Sequence, residues 1–147
     1  MKVKFKKLHP LVEDLHYAKP GDAGMDLTAV DIYKDEQGNM VCDTGIAVEI
    51  PEGYVGLVFP RSSIAKYDMH MRNSVGVIDS SYRGSILVKF GFLPEGTLYK
   101  MGDKIAQLII LPYPQITFEE VTELSETERG EGGFGSTTEV HETAENL

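Results

Sequence analysis

The stretch Ile86-Leu-Val-Lys-Phe-Gly-Phe92 places an apolar side chain at every second position, namely at Ile86, Val88, Phe90 and Phe92. Such alternation predicts a β-strand with one buried face, because successive side chains of a strand point to opposite faces of a sheet. Other short apolar runs occur at 3–5, 46–50, 57–59, 104–112 and 115–121. Only residues 63–69 could form a helix, and a brief one, so we predict an all-β protein.

Turn-forming residues separate the predicted strands at short intervals, at 36–39, 51–53, 94–96 and 101–103. Many short strands divided by such turns predict a sandwich or a jelly-roll-like barrel. After residue 121 the apolar pattern ends. We therefore predict one β domain over residues 1–121 and a mobile, acidic C-terminal arm over residues 122–147.

The net charge of −9 is concentrated in the last fifth of the chain. Residues 119–147 contain nine Glu and one cation, Arg129, whereas residues 1–118 are close to neutral. A nearly neutral body argues against nucleic acid as a partner, because duplex binding needs many clustered cations. No apolar run approaches the length of a membrane span, and the single cysteine, Cys42, excludes an internal disulfide. We expect a cytoplasmic protein that binds neither membranes nor nucleic acid.

The run Arg129-Gly-Glu-Gly-Gly-Phe-Gly-Ser-Thr137 combines a cation, four glycines, an aromatic ring and two hydroxyls in nine residues. Backbone N–H groups of glycines and a guanidinium are suited to phosphate oxygens, and an aromatic ring offers a face to a base. This composition favours a nucleoside polyphosphate as ligand. A flexible Gly/Ser tail without a ligand is the alternative for such a terminus.

Two further segments concentrate polar groups next to predicted strands. Arg61, Ser62 and Ser63 follow an apolar run and suggest an anion site at the start of a short helix, with an ordinary N-cap as the alternative. The segment Asn73-Ser-Val-Gly-Val-Ile-Asp-Ser-Ser-Tyr-Arg-Gly84 suggests a hairpin whose backbone edge could pair with a planar base. Asp79 in that segment could be a reactive carboxylate or only a turn residue.

Asp26 and Gln107 each interrupt an apolar run, and either residue alone would be assigned to a buried polar network. Together, however, the polar segments form an ordered set of five motifs. These are AGMDLTA (23–29), PRSSIA (60–65), NSVGVIDSSYRG (73–84), GDKIAQLII (102–110) and RGEGGFGST (129–137). In content and order they resemble the five motifs of the trimeric dUTP pyrophosphatase (dUTPase) family, and the resemblance covers nearly the whole chain.

The resemblance implies a distorted jelly roll that assembles as a homotrimer with three shared active sites. One subunit would supply the first, second and fourth motifs, another the third, and the last its arm. The implied activity is hydrolysis of dUTP to dUMP and pyrophosphate, which limits uracil incorporation into DNA and supplies dUMP for thymidylate synthesis. Mg²⁺ is the implied cofactor, held mainly by phosphates and water.

The resemblance also implies a role for each motif residue. In the third motif, Asn73 and the backbone of Gly76, Val77 and Ile78 would read uracil. Tyr82 would lie beneath deoxyribose and leave no room for a 2′-hydroxyl. Asp79 would bond the 3′-hydroxyl and orient the water that attacks the α-phosphorus.

Arg61, Ser62, Ser63 and Gln107 would contact the phosphate chain, and Ser62 would stabilise the leaving group. Asp26 is implied as a Mg²⁺ partner through water, with a structural role between subunits as the alternative. In the arm, Phe134 would stack on uracil. The γ-phosphate would be bound by Arg129, Ser136 and Thr137, and Gly135 would also belong to the substrate-binding residues of the arm.

Two features of the chain depart from the family pattern. Ser63 stands where the second motif commonly has glycine, and ten further residues follow Thr137. The rival reaction on this fold is dCTP deamination, which needs a glutamate near the base. No Glu occurs between Glu52 and Glu95, a span that includes the base-reading segment, so we disfavour deamination. A dUTP-binding regulatory protein without catalysis is the other alternative.

Overall fold

Short antiparallel strands build the protein in the computed structural model, which describes residues 1–133 and 135. Within these residues the strands are β1 (Lys4–Lys7), β2 (Met25–Thr28), β3 (Asp31–Lys34), β4 (Met40–Asp43), β5 (Ile46–Glu49), β6 (Tyr54–Phe59), β7 (Met69–Met71), β8 (Gly76–Ile78), β9 (Leu87–Phe92) and β10 (Lys104–Pro112). The all-β prediction is confirmed.

The strands form two four-stranded sheets and one two-stranded sheet. Their orders are β2-β10-β6-β8, β3-β4-β9-β7 and β1-β5, and every pairing is antiparallel. Neighbours such as β2 and β10 are far apart in sequence, as expected for a jelly-roll-like arrangement rather than a simple meander.

The stretch from Ile86 to Phe92 follows its predicted alternation up to Phe90, after which Gly91 is buried and Phe92 is only half-buried. Ile86, Val88 and Phe90 are fully buried, whereas Leu87 and Lys89 between them are exposed. The buried members join side chains from the other strands, including Leu27, Val58 and Ile105, in one apolar core. Burial of these large side chains is the main force that holds the sheets together.

Two local predictions need correction. Residues 115–121 do not form a strand, since no backbone partner pairs with them in the part of the chain that the structure describes. Alternating apolar residues produce a strand only where a neighbouring strand can accept its hydrogen bonds, and Phe118 here is exposed. The brief helix predicted over 63–69 is a 3₁₀ turn over Ser62–Lys66, and Met69 already begins β7.

The chain divides into two compact units, residues 1–115 and 116–147. All ten strands belong to the first unit. The division between domain and arm predicted after residue 121 differs from this one by six residues. Across the described residues, no helix is long and apolar enough to cross a membrane.

Candidate functional site

Strand β10 brings three of the five motifs together. It is the central strand between β2 and β6, and the register places Gln107 opposite Asp26 on one side and opposite Phe59 on the other. The chain leaves β6 at Phe59 and continues through Pro60 to Arg61 and Ser62. The first, second and fourth motifs therefore meet beside Gln107.

A cluster of two cations around one carboxylate lies at this meeting point. Arg61 Nε is 2.7 Å from one oxygen of Asp26, and Lys104 Nζ is 2.8 Å from the other. Burial alone would raise the pKa of Asp26, but the hydrogen bond from Lys104 and the charges of Arg61 and Lys104 outweigh burial and lower it. The carboxylate is thus ionised at neutral pH, and the cluster keeps a net positive charge that suits a polyanion.

The turn that follows Arg61 presents its serines without using them as caps. Arg61 itself is the N-cap residue, in an extended conformation, and makes no side-chain capping bond. Ser62 is exposed and Ser63 is half-buried. The alternative that these serines are ordinary N-caps is therefore wrong, and the Ser62 hydroxyl is accessible to a ligand.

The Gln107 amide is held by its surroundings on two sides. Its Nε2 donates to the Pro60 carbonyl oxygen over 3.1 Å. A Cβ atom on Gly24 would lie 3.1 Å from Gln107 Cδ and closer still to the amide oxygen. The glycine of the first motif therefore leaves the space that the Gln107 side chain occupies.

The segment predicted to read a base forms the open edge of a sheet but not the predicted hairpin, because β7 before it and β9 after it belong to the other four-stranded sheet. β8 pairs with β6 on one side and is the last strand of its sheet, and Val77 is 61% exposed. A terminal strand leaves backbone N–H and C=O groups unpaired along its outer side. Asn73 comes close to this strand, with its side-chain nitrogen 3.6 Å from the position of a Cβ on Gly76. This edge can offer donors and acceptors to a planar ligand.

Asp79 begins a tight turn directly after β8. Its carbonyl oxygen accepts a hydrogen bond from Tyr82 N over 3.1 Å. No side chain among the described residues bonds or pairs with its exposed carboxylate. The turn thus uses the backbone of Asp79 and leaves the carboxylate available, so a purely turn-forming role does not explain this side chain.

These two groups of residues lie at opposite ends of the β6–β8 pair within one chain. Ile78, next to Asp79, is opposite Gly56, six residues before Ser62. At a rise of about 3.3 Å per residue, the strand from Gly56 to Phe59 alone spans roughly 10 Å, and Ser62 lies beyond its end. One chain therefore does not bring Asp79 and Ser62 to a common point.

The arm is described up to Gly133 and at Gly135. Within this unit, Arg129 Nε donates to Gly132 O over 3.0 Å, and Gly130 N donates to Thr127 Oγ1 over 3.1 Å. The predicted arm residues Phe134, Ser136 and Thr137 lie outside the described residues.

Comparison with known proteins gives a consistent result. The sequence model of the dUTPase family matches residues 11–138. A deoxyuridine 5′-triphosphate nucleotidohydrolase of Dictyoglomus turgidum is 44% identical over 129 residues, which are 83% of this chain and 88% of the relative. The chain belongs to the dUTPase family. The dUTPase of Escherichia phage T5 is also 44% identical, over 78% of this chain and 84% of its own length.

Solved dUTPase structures have the same fold. The dUTPase of Staphylococcus bacteriophage 80alpha, in a structure with dUpNHpp, superposes with a TM-score of 0.76 at 30% identity and covers 92% of this chain and 97% of its own. A jelly-roll-like architecture therefore holds for this dUTPase as predicted.

Sequence reasoning missed two residues of the site in this dUTPase. Gly24 lies in the first motif and Lys104 in the fourth, yet their residue types alone assign a role to neither. Their importance depends on neighbours from distant strands, Asp26 for Lys104 and Gln107 for Gly24. A lysine at the start of an apolar strand and a glycine just before one were the available signals.

Proposed function

We propose that this chain hydrolyses dUTP to dUMP and pyrophosphate. Membership of the dUTPase family over residues 11–138 is the observation that carries the proposal. The geometry supports it with a positively charged cluster suited to a phosphate chain and an open strand edge suited to a base. The uncommitted carboxylate of Asp79 would act between them.

The reaction would be an in-line displacement at the α-phosphorus. The oxygen of a water molecule bonds to phosphorus, the bond to the bridging oxygen breaks, and pyrophosphate leaves. Asp79 would orient that water through a hydrogen bond and also bond the 3′-hydroxyl. Because an aspartate is a weak base, most of the rate would come from positioning and charge stabilisation.

The phosphate chain would be bound by the cluster at the centre of β10. Arg61 and the Ser62 hydroxyl would stabilise charge on the departing pyrophosphate, and Ser63 would line the same turn. Gln107 would contact the phosphates or their waters while its position is kept by Pro60 O and Gly24. This assignment gives Arg61, Ser62 and Gln107 each a partner on the substrate.

The base and sugar would be recognised by the third motif. The edge formed by Gly76, Val77 and Ile78, with Asn73, would pair with O4 and N3–H of uracil. Cytosine reverses the donor and acceptor at these atoms, so its binding would leave polar groups unpaired. Tyr82 would exclude a 2′-hydroxyl by its bulk.

The separation of Asp79 and Ser62 supports sites shared between copies, which we assign to a homotrimer. The attacking water and the leaving oxygen bond the same phosphorus, so the groups that serve them must be within a few ångströms of it. The strand segment of roughly 10 Å that separates the two residues argues against this within one chain. A second copy in a closed ring would place its Asp79 beside the first copy's Ser62, and the third copy would contribute its arm.

The arm would close over the bound nucleotide. Arg129, Gly135, Ser136 and Thr137 would bind the γ-phosphate, and Phe134 would stack on uracil. Closure would exclude water and strengthen every charge interaction in the site.

Mg²⁺ is the proposed cofactor, and the donor set restricts how it could bind. Among residues 1–133 and 135, no three His, Cys, Asp or Glu side chains form a metal-binding group. The one carboxylate in the cluster, Asp26, already pairs with Arg61 and Lys104. The residues therefore fit an ion held mainly by phosphates and water, with Asp26 in contact only through water. Bound in that way, Mg²⁺ would neutralise charge on the phosphate chain.

The test is pyrophosphate release from each deoxynucleoside triphosphate, with Mg²⁺ and with a chelator. We expect turnover of dUTP alone, and only with Mg²⁺. Equal turnover of dCTP would contradict the uracil-reading edge, and ammonia release from dCTP would indicate a deaminase. Tight dUTP binding without pyrophosphate release would indicate the regulatory alternative.

A further inference from the structure

Gly84, the last residue of the third motif, lies directly against the Tyr82 ring. A Cβ atom at this position would lie 2.7 Å from Tyr82 Cζ and 3.1 Å from Cε2, and closer than either to the hydroxyl. Contacts below 3.0 Å are essentially never found for real Cβ atoms, so any side chain at residue 84 would displace the ring or the turn.

The backbone gives no reason for a glycine at residue 84. The glycines with positive φ are at other positions, including Gly45 and Gly53. The φ of Gly84 lies outside the left-handed region that favours glycine. Space for the Tyr82 ring is therefore the constraint that the structure places on this residue.

The ring is also tethered at its far end. The Tyr82 hydroxyl donates to the Ser85 carbonyl oxygen over 2.9 Å, and Tyr82 N donates to Asp79 O over 3.1 Å. The ring is nevertheless 40% exposed, so a substantial part of its surface is accessible to a ligand. A hydrogen bond from its tip and close packing on Gly84 together define where the exposed part of the ring lies.

We propose that Gly84 is a positioning residue. By leaving space for the Tyr82 ring it sets the distance between the ring and the sugar, and thereby the discrimination between deoxyribose and ribose. The inference rests on the proposed function, in which Tyr82 lies beneath the sugar. A side chain at residue 84 shifts the tip of the ring and weakens its bond to Ser85 O. The ring then no longer packs closely against the deoxyribose, and it no longer excludes a 2′-hydroxyl.

The test compares kcat/KM for dUTP and for UTP in Gly84→Ala and the wild-type chain. We expect the dUTP/UTP ratio to fall by about tenfold or more, because a displacement of about 1 Å in a substrate-positioning group can cost up to a hundredfold. A ratio within twofold of the wild-type value would overturn the inference.

A double-mutant comparison separates positioning from general damage. In a Tyr82→Ala background, adding Gly84→Ala should change the ratio no further, because the ring through which Gly84 acts is absent. An equal fall in both backgrounds would overturn the inference.

Gly91→Ala is the matched control. Its Cβ would crowd the side-chain tips of His70 and Arg72 on the other four-stranded sheet. We expect its dUTP/UTP ratio to equal the wild-type ratio, and a similar fall here would attribute the Gly84 effect to general strain.

Two further outcomes have defined meanings. If Gly84→Ala fails to fold, Tyr82→Phe is the test. This variant removes the hydrogen bond to Ser85 O without adding an atom, so its dUTP/UTP ratio should fall several-fold. An unchanged dUTP/UTP ratio overturns the inference. A wild-type chain that releases no pyrophosphate from dUTP overturns the proposed function as well. A selective wild type with an unaffected Gly84→Ala ratio overturns this inference alone.

Discussion

At the scale of single residues, the availability of a side chain separates reactive groups from structural ones. The Asp79 carboxylate is exposed and has no partner side chain among the described residues, whereas Asp26 pairs with two cations. Asp26 lies within β2, and Asp79 directly follows β8. Their different surroundings support the proposed role of Asp79 in orienting water, whereas Asp26 holds Arg61 and Lys104 in place.

Replacing Asp79 by Asn should abolish turnover while dUTP still binds. The amide keeps the size of the side chain but loses the charge that orients water, so we expect kcat to fall by about 10² to 10⁴-fold. Pyrophosphate release measures turnover, and calorimetry with dUpNHpp measures binding. Asp31→Asn, which changes an exposed carboxylate on the other sheet, should leave kcat unchanged. Retained turnover in Asp79→Asn would show that another group orients the water.

Cys42 should be unreactive in the folded protein. Burial, reinforced by the charge of Asp103, raises the pKa of its thiol from 9.0 to about 12, so almost no thiolate is present at pH 8. Because the folded pKa is raised, this group favours the folded state fully below pH 9 and loses that effect as the pH approaches 12. We expect an aromatic disulfide reagent to label Cys42 at pH 8 only in denaturant. Rapid labelling of the native protein would contradict the buried position.

At the scale of elements, the sheet β2-β10-β6-β8 positions both parts of the proposed site. Its inner strand β10 gathers around Gln107 the residues proposed to bind phosphate, and its terminal strand β8 presents the edge proposed to read the base. The second sheet mainly supplies core side chains such as Val88 and Phe90. Substitutions in the first sheet should therefore alter activity, and those in the second mainly stability.

Removal of the arm should separate assembly from catalysis. A chain that ends at Leu124 retains all ten strands but loses Arg129 and the glycine-rich motif. We expect the oligomeric mass by light scattering to show three chains still associated, and kcat/KM for dUTP to fall by about tenfold or more because the site stays open to water. A chain that ends at Thr137, lacking only the acidic extension, is the matched control and should stay active. Full activity of the shorter chain would exclude the arm from the mechanism.

At the scale of the whole molecule, the separation of Asp79 and Ser62 supports the proposed homotrimer. In that assembly, shared sites would hold a nucleoside triphosphate between the edge of one copy and the charged cluster of another. Each site would be built where copies meet, so activity would require assembly.

Mixed trimers should regain activity that neither parent has. If equal amounts of Asp79→Asn and Ser62→Ala chains are unfolded and refolded together, about a quarter of the sites would combine an intact Ser62 with an intact Asp79 from a neighbour. We expect about a quarter of wild-type pyrophosphate release. Ser62→Ala mixed with Gln107→Ala is the control, because both residues come from the same subunit and no site regains both. Equal recovery in the two mixtures, or none in either, would argue against sites shared in this way.

The sequence by itself determined which segments form strands wherever alternation coincided with an available partner, as in Ile86 to Phe92. It also determined the residue types of the five motifs and, through their order, the family. The strand predicted over 115–121 failed because alternation is a local property, whereas a strand needs a neighbour with which to form hydrogen bonds. The N-cap alternative for the serines is wrong because the turn begins at Ser62, so Arg61 is the residue before it and both serines lie inside the turn.

Only the tertiary structure decided which of these residues meet. The contacts of Asp26 with Lys104 and of Gly24 with Gln107, and the distance between Asp79 and Ser62, all depend on the register between strands distant in sequence. Register is set by the packing of the whole core and not by any local pattern, and a shift of one residue would turn every side chain to the opposite face. For that reason the chemical groups of this site could be predicted from the sequence, whereas their arrangement in space could be read only from the folded structure.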